Sequence, residues 1–327
     1  FLLPQVEKSS IVIKSAIITG LLKRNSIEHI TTGGEFLFKM LNDDSTKKEA
    51  LQIVGNIGNN SFYRPIIKAF TDTNDEVIKT AIHVASKINN HKLIPHLIHF
   101  LHDKKHGRAA VSSLAMYKND AVEQVAPLIT EYSLSENTIR RCISLCGRIE
   151  TRESKQVLLK IMNIPSQALY MQMLDSLTRI NYKVSQDHRE LIISKINNEI
   201  NFMLYIIQSM FVLNDSKIFK NTVHALNLEL TLIQSRIFSL LTFIYPKYPI
   251  LRSREGLFIN NSDIQSNALE TLEMTLKDLD IKMDIIAVMD PHLPLGEKQK
   301  RLEKRSHQVR IADETVTNKV LYSRNQE

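Results

Sequence analysis

Six of the eleven histidines fall between positions 83 and 106: His83, His91, His96, His99, His102 and His106. His102 and His106 are four apart, and His96 and His99 three apart, spacings at which two imidazoles on one helix can reach a single metal ion. Asp103 is the carboxylate that stands among them, and no His-Glu-x-x-His run occurs. Leu93, Ile94, Leu97, Ile98 and Leu101 claim the inner face of the same helix. The histidines are therefore expected on its polar side, in solvated or capping roles, without a metal. Cys142 and Cys146 are also four apart. That spacing suits a redox pair or a metal site, and equally two small hydrophobes on one buried face, which the repeat described below favours.

Two groups of cations suit a different chemistry. Arg140, Arg141, Arg148 and Arg152 span one inter-helix turn, with Arg141 and Arg148 on either side of a buried stripe. A guanidinium fork matches a carboxylate or a phosphate, so these residues can line a groove; plain solvent exposure is the ordinary alternative. The segment Glu297 to Arg310 carries Lys298, Lys300, Arg301, Lys304, Arg305 and Arg310 against Glu297 and Glu303, a surplus of four positive charges. Such a run is either a solvated helix face or a contact for anionic lipid headgroups or an acidic neighbouring domain. Leu302 and Val309 are the apolar residues within it, so attraction to such a surface is expected to be electrostatic. No nucleophile stands beside a histidine or an acid. Gly296-Glu297 is followed by Lys298-Gln299-Lys300-Arg301, where a phosphate-binding cassette would need small residues. No catalytic residue and no cofactor is expected.

The elements that hold these residues follow from a repeat. Nine glycines and nine prolines in 327 residues fall well below the usual roughly 7% and 5%, which argues for long helices and short connections. Five nine-residue stretches align without gaps: Glu49 to Ile57, Thr80 to Ile88, Ala109 to Tyr117, Arg141 to Ile149 and Gln172 to Ile180. Columns 2, 3, 6 and 9 are apolar at helical spacing, so each stretch should bury one stripe. Column 7 is small (Gly55, Ser86, Ala115, Gly147, Thr178) and lets neighbouring helices approach closely. Lys14 to Leu22 is a weaker sixth copy. A second apolar pattern follows each of the first three good copies, with Pro65, Pro95 and Pro127 placed near its start. A fourth partner, Lys155 to Met162, lacks the proline. Asp72, Asn74 and Asp75 supply turn and cap chemistry before the next unit. Helix, turn, helix, turn in about 31 residues is an α-solenoid.

The small-residue column, the prolines and the Asp/Asn turn resemble HEAT-type repeats over residues 12 to 182. The fold expected is all-α, a HEAT-like α-solenoid over 1–182 and an irregular helical extension over 183–327. In the extension, a long hairpin should occupy 186–245, as one helix from Gln186 to Leu213, a break at Asn214-Asp215-Ser216, and a second from Ile218 to Tyr245 ended by Pro246 and Pro249. Arg252 to Ser262 reads as a polar loop. Short helices should cover 263–306, including Ile281 to Met289 and Lys298 to Ser306, before a polar tail. The apolar run Phe202 to Leu213 is interrupted by Gln208 and Ser209 and falls short of the about 20 residues a bilayer span needs.

The long hairpin, the Tyr-Pro end, the Asn267-Ala268-Leu269-Glu270 helix and the Leu279-Asp280 to Met289-Asp290-Pro291 segment together resemble the soluble region of bacterial ATP/ADP-translocase-like carriers of the major facilitator type. In those carriers the transporter precedes the repeats and a cyclic-nucleotide-binding domain often follows. The resemblance implies a module on the cytoplasmic side of a membrane. Its partners would be the flanking transporter and nucleotide-binding domains, or another protein, with an anionic membrane surface nearby. Phe1-Leu2-Leu3-Pro4 lacks an initiator Met and a signal-peptide pattern, so the chain is expected to be part of a longer polypeptide. The competing classes are a nucleic-acid binder of the helical-repeat DNA glycosylase kind and a chromophore lyase. The first wants aromatic platforms and a basic groove, and this chain has no Trp. The second wants a nucleophile with its partner. A non-catalytic interaction or coupling module is the reading the residues favour.

Overall fold

A computed structural model describes residues 10–23, 27–131, 134–213, 220–277 and 280–304, all helices and connections with no strand among them. The chain divides into two compact units, Phe1–Ile180 and Asn181–Glu327.

The first unit is the all-α, HEAT-like solenoid the repeat implies. It runs α1 (Ile11–Lys23), α2 (Ile27–Asn42), α3 (Lys47–Ile57), α4 (Tyr63–Ala69), α5 (Asp75–Ile88), α6 (Ile94–His99), α7 (Gly107–Leu114), α8 (Asn119–Thr130), α9 (Glu136–Ile149), α10 (Arg152–Lys160) and α11 (Gln167–Arg179). The helices carrying the nine-residue stretches, α3, α5, α7, α9 and α11, pack against one another in sequence as one layer. The alternating helices α4, α6, α8 and α10 cover its other side. Local chemistry sets the boundaries. Asn74 Oδ1 accepts the Glu76 N–H at 2.9 Å to cap α5, and Thr151 and Ser154 form a capping box on α10. Left-handed residues close α3, α5 and α9 at Gly58, Asn89 and Glu150. Asp72 accepts the Asn74 N–H at 2.9 Å and pairs with Lys47 of the preceding repeat at 2.7 Å, so the turn residues also tie successive repeats.

Columns 2, 3 and 6 are buried in all five copies. Column 9 is only half-buried at Ile57 and Ile149. Column 5, with Ile53, Val84, Ser113, Leu145 and Ser176, is buried throughout, because each first-layer helix meets neighbours on both flanks as well as the second layer. At the α9–α11 crossing a Cβ on Gly147 would stand 2.6 Å from the Ser176 Cβ, so only glycine permits that spacing. There the Ser176 hydroxyl donates to the Ile143 carbonyl at 3.2 Å. One expectation is corrected: α8 begins at Asn119, which puts Pro127 inside the helix rather than in its first turn.

The second unit contains α12 (Arg189–Leu213), α13 (Lys220–Ile244), α14 (Lys247–Leu257), α15 (Ser262–Thr275), α16 (Lys282–Met289) and a helix over 295–304. The expected break at Asn214-Asp215-Ser216 lies outside the described residues, as do Ser306 and the tail. α12 and α13 pack side by side, and a charged pair fixes their register. Arg236 is fully buried; its Nε donates to Glu199 at 2.8 Å and its NH2 group to Glu229 at 2.9 Å. Burial pushes the Glu199 carboxyl up, against the pull of Arg236. Sliding one helix along the other would strand a buried charge, at a cost of about 3–5 kcal/mol. The polar loop expected over 252–262 is instead mostly helix. Ile250, Ser253 and Leu257 face inward at helical spacing, which outweighs the charges and Gly256, and the turn is confined to 258–261. Pro249 sits in the first turn of α14, where its missing N–H costs nothing.

The 295–304 helix is held by Leu302, which is buried, and by Lys298, whose Nζ donates to the Val288 carbonyl at 3.0 Å. Desolvation lowers the Lys298 ammonium from 10.5 to about 8, with Asp290 opposing.

Two predictions follow from this packing. Gly147→Ala should cost about 1–3 kcal/mol in denaturant unfolding through overpacking, whereas Gly34→Ala, with open space at its Cβ inside α2, should stabilise by about 0.5–1 kcal/mol. The unfolded state holds more protons than the folded one between pH 8 and 10.5, because the folded Lys298 value lies below the ordinary one. Stability should therefore rise as pH climbs through that window. Below it the buried ammonium costs about 3 kcal/mol. Lys298→Met should raise the unfolding midpoint at neutral pH and flatten that rise, as read by pH-dependent thermal melts.

Candidate interaction groove

The first layer of the solenoid leaves one side uncovered, and columns 1, 4 and 8 of the repeat face it. Between α7, α9 and α11 this face sinks into a depression of about 420 Å³ lined by Arg108, Ser112, Asn137, Arg140, Arg141 and Arg148, with Val111, Ser144 and Gln172 completing it. Among the described residues, four guanidinium groups and no carboxylate line it. Of the four arginines expected from sequence, the structure brings three together here. Arg152 opens α10 and lies outside the lining.

The four groove arginines do different work. Arg141 is half-buried and structural in part: its NH1 group donates to the carbonyls of Leu101 at 2.5 Å and Asp103 at 2.7 Å, clasping the turn that leads into α7. A Cβ on Gly107 would stand 2.3 Å from that guanidinium, so the glycine opening α7 clears its path. Arg140 pairs with Glu136 at 3.1 Å through NH2, while its buried Nε has no partner among the described residues. Arg148 is exposed and donates to the Ser112 hydroxyl at 3.3 Å. Arg108 is exposed, and no carboxylate among the described residues lies within ion-pair distance of it. Several N–H donors thus converge on a polar hollow, an arrangement that can hold carboxylate or phosphate oxygens.

Arg108 is the groove residue that the sequence reading missed. Extending the five-copy alignment by one column finds it: Lys48, Lys79, Arg108 and Arg140 each stand one position before a copy. Glu76 answers Lys48 at 3.1 Å and Lys79 at 3.7 Å, and Glu136 answers Arg140 at 3.1 Å, so among the described residues Arg108 on α7 is the member of the column without an ion pair.

The remaining candidates are placed as follows. Lys298 leaves the basic surface, being buried beneath its own helix, because its alkyl stem and Leu302 share the inward face. Lys300, Arg301 and Lys304 are exposed, Lys300 pairing with Glu297 at 2.9 Å. Arg305 and Arg310 lie outside the described residues. His106 departs from the polar side expected of it: it is buried, edge-on to Phe100, with Asp103 3.5 Å and Asp75 4.0 Å away. His83, His91, His96, His99 and His102 are exposed. Among the described residues no three His, Cys, Asp or Glu side chains gather where a metal could sit. Cys142 and Cys146 are fully buried free thiols, each pushed up to about 12 by desolvation. A larger cleft of about 590 Å³ lies among Phe38, Leu41, Lys47, Arg64, Pro65 and Lys68. Its lysines are engaged, Lys47 with Asp44 and Asp72 and Lys68 with Asn42, and Arg64 donates to the Tyr63 hydroxyl at 3.4 Å.

In comparison with known proteins, the family profile for HEAT repeats matches residues 34–115. No curated protein matches the chain. Among solved structures, the crystal structure of an engineered protein is similar over 90% of this chain and 88% of its own. The identity is 15% and the TM-score 0.31, a likeness too slight to carry fold or function. No described helix is long and apolar enough to cross a membrane.

Proposed function

We propose that the chain is a non-catalytic interaction module whose arginine groove takes an acidic segment of a partner protein. The observation that carries this is the convergence of Arg108, Arg140, Arg141 and Arg148 on one hollow whose described lining offers no carboxylate. HEAT-type solenoids present extended surfaces to other proteins, and a row of guanidinium forks set one repeat apart suits carboxylates spaced along an extended peptide. The finer identity of the partner, a flanking domain of a carrier-like polypeptide on the cytoplasmic side of a membrane, rests on the sequence resemblance of the helical extension placed after the repeats; neither the family match nor the structural neighbour adds to it. A nucleic acid fits less well, since the groove lining contains no aromatic ring on which a base could stack.

The test is fluorescence anisotropy of a labelled glutamate-rich peptide against the full chain. Binding should weaken with salt, and a glutamine-rich peptide of equal length should not bind. Changing Arg108, Arg140 and Arg148 together to Gln should weaken binding about 10- to 100-fold, at about 0.5–1 kcal/mol per exposed contact, without lowering the melting temperature. Arg141 is left in place because it holds the turn that leads into α7. Equal affinity of the triple variant and the wild type would refute the groove as the site.

A further inference from the structure

From Ile200 to Leu213, α12 carries no charged residue. Its inward positions, including Met203, Ile207 and Met210, are buried in the second unit. Its outward positions are not the lysines and glutamates usual on a solvated face. Tyr205 is 66% exposed, Val212 80%, Phe211 46% and Phe202 37%. Phe202, Tyr205 and Val212 follow one another at three- and seven-residue steps, so they share one side of the helix.

The cationic helix lies along the edge of this stripe. Gln208, one turn from both Tyr205 and Val212, donates to Glu303 at 2.8 Å, and the Phe211 ring reaches to 3.8 Å from where a Cβ on Gly296 would stand. Leu302 and Lys298 anchor the 295–304 helix from beneath, leaving Lys300, Arg301 and Lys304 pointing outward. An uncharged aromatic and aliphatic strip therefore runs beside a row of exposed cations, both held by the same packed elements.

We propose that this strip and its cationic edge form a docking surface for an anionic lipid bilayer. Tyr and Phe seat at the boundary between headgroups and acyl chains, and neighbouring Lys and Arg draw the surface in. Charge complementarity selects this occupant over a second copy of the chain. A twofold pairing would present the same strip and the same cations to each other; of the carboxylates on the 295–304 helix, Glu297 already pairs with Lys300 and Glu303 with Gln208 and Gln299. The apolar supply comes from α12, a helix remote in sequence from the basic run. Binding should accordingly keep a salt-resistant part, unlike the purely electrostatic attraction expected of the basic segment alone.

Cosedimentation of the full chain tests this, with vesicles of phosphatidylcholine alone or mixed with phosphatidylserine, at low and high salt. The wild type should bind the anionic vesicles at least about fivefold better than the neutral ones and retain part of that binding at high salt. Tyr205→Ser with Val212→Ser should remove the salt-resistant part. Lys300→Gln with Arg301→Gln and Lys304→Gln should remove the preference for anionic lipid. Both sets should melt at the wild-type temperature, since the side chains are exposed. The Arg108, Arg140 and Arg148 triple variant should bind vesicles as the wild type does, which separates this surface from the groove. Equal binding to both vesicle types, vesicle binding unchanged in both surface variants, or loss in the groove variant would each overturn the proposal. So would a dimer in sedimentation velocity that Tyr205→Ser with Val212→Ser dissociates.

Discussion

The spacing between neighbouring helices of the first layer is the constraint on which the solenoid rests. Where α9 crosses α11 the backbone of Gly147 passes so near Ser176 that no side chain fits between them, and Gly55 takes a similar place against Val84, 3.1 Å from where its Cβ would be. At that separation side-chain hydroxyls reach the backbone of the preceding repeat. Ser176 donates to Ile143, and Tyr117, three positions past the end of α7, donates to the Ala85 carbonyl of α5 at 2.7 Å. Arg141 bridges in the same way to two carbonyls of the turn that leads into α7 across the space that Gly107 leaves open. The carbonyls of Leu101 and Asp103 lie where the short helical run before α7 ends, and left unpaired they would be costly. The groove is a consequence of the same spacing, since it stacks like columns of successive repeats within reach of one ligand.

Charge is handled in opposite ways in the two units. In the second unit Arg236 is sealed between Glu199 and Glu229, and Lys298 is buried at the cost of a lowered proton affinity. Such groups contribute little net stability, but they penalise any alternative register of the helices that surround them. In the groove the guanidinium groups stay partly hydrated, so they can exchange water for a ligand's carboxylates without the full desolvation cost that a buried cation bears. Arg236 is therefore a structural cation, and Arg108 and Arg148 are available ones.

The repeat made most of the first unit legible, because a stripe recurring every 31 residues or so can be read from residue types alone. What it hid was burial on the flanks. Column 5 contains Ser113 and Ser176, whose polarity disguises a position that only the neighbouring helix closes off. Arg252 and Arg254 around Gly256 looked like loop chemistry, while the inward spacing of Ile250, Ser253 and Leu257 was the stronger signal. Three groove arginines were visible as neighbours in the chain, and the fourth, Arg108, was reachable only through the repeat period. That Arg141 would turn to backbone carbonyls, and Lys298 inward, depends on packing that no local pattern records.

Arginine side-chain NMR on the full chain, following the Nε–H signals while a glutamate-rich peptide is added, reads the central claim directly. The signals of Arg108, Arg140 and Arg148 should move together and saturate at one peptide concentration, while that of Arg236, sealed inside the second unit, stays where it is. Peptide binding that leaves the three groove signals unmoved would contradict the account.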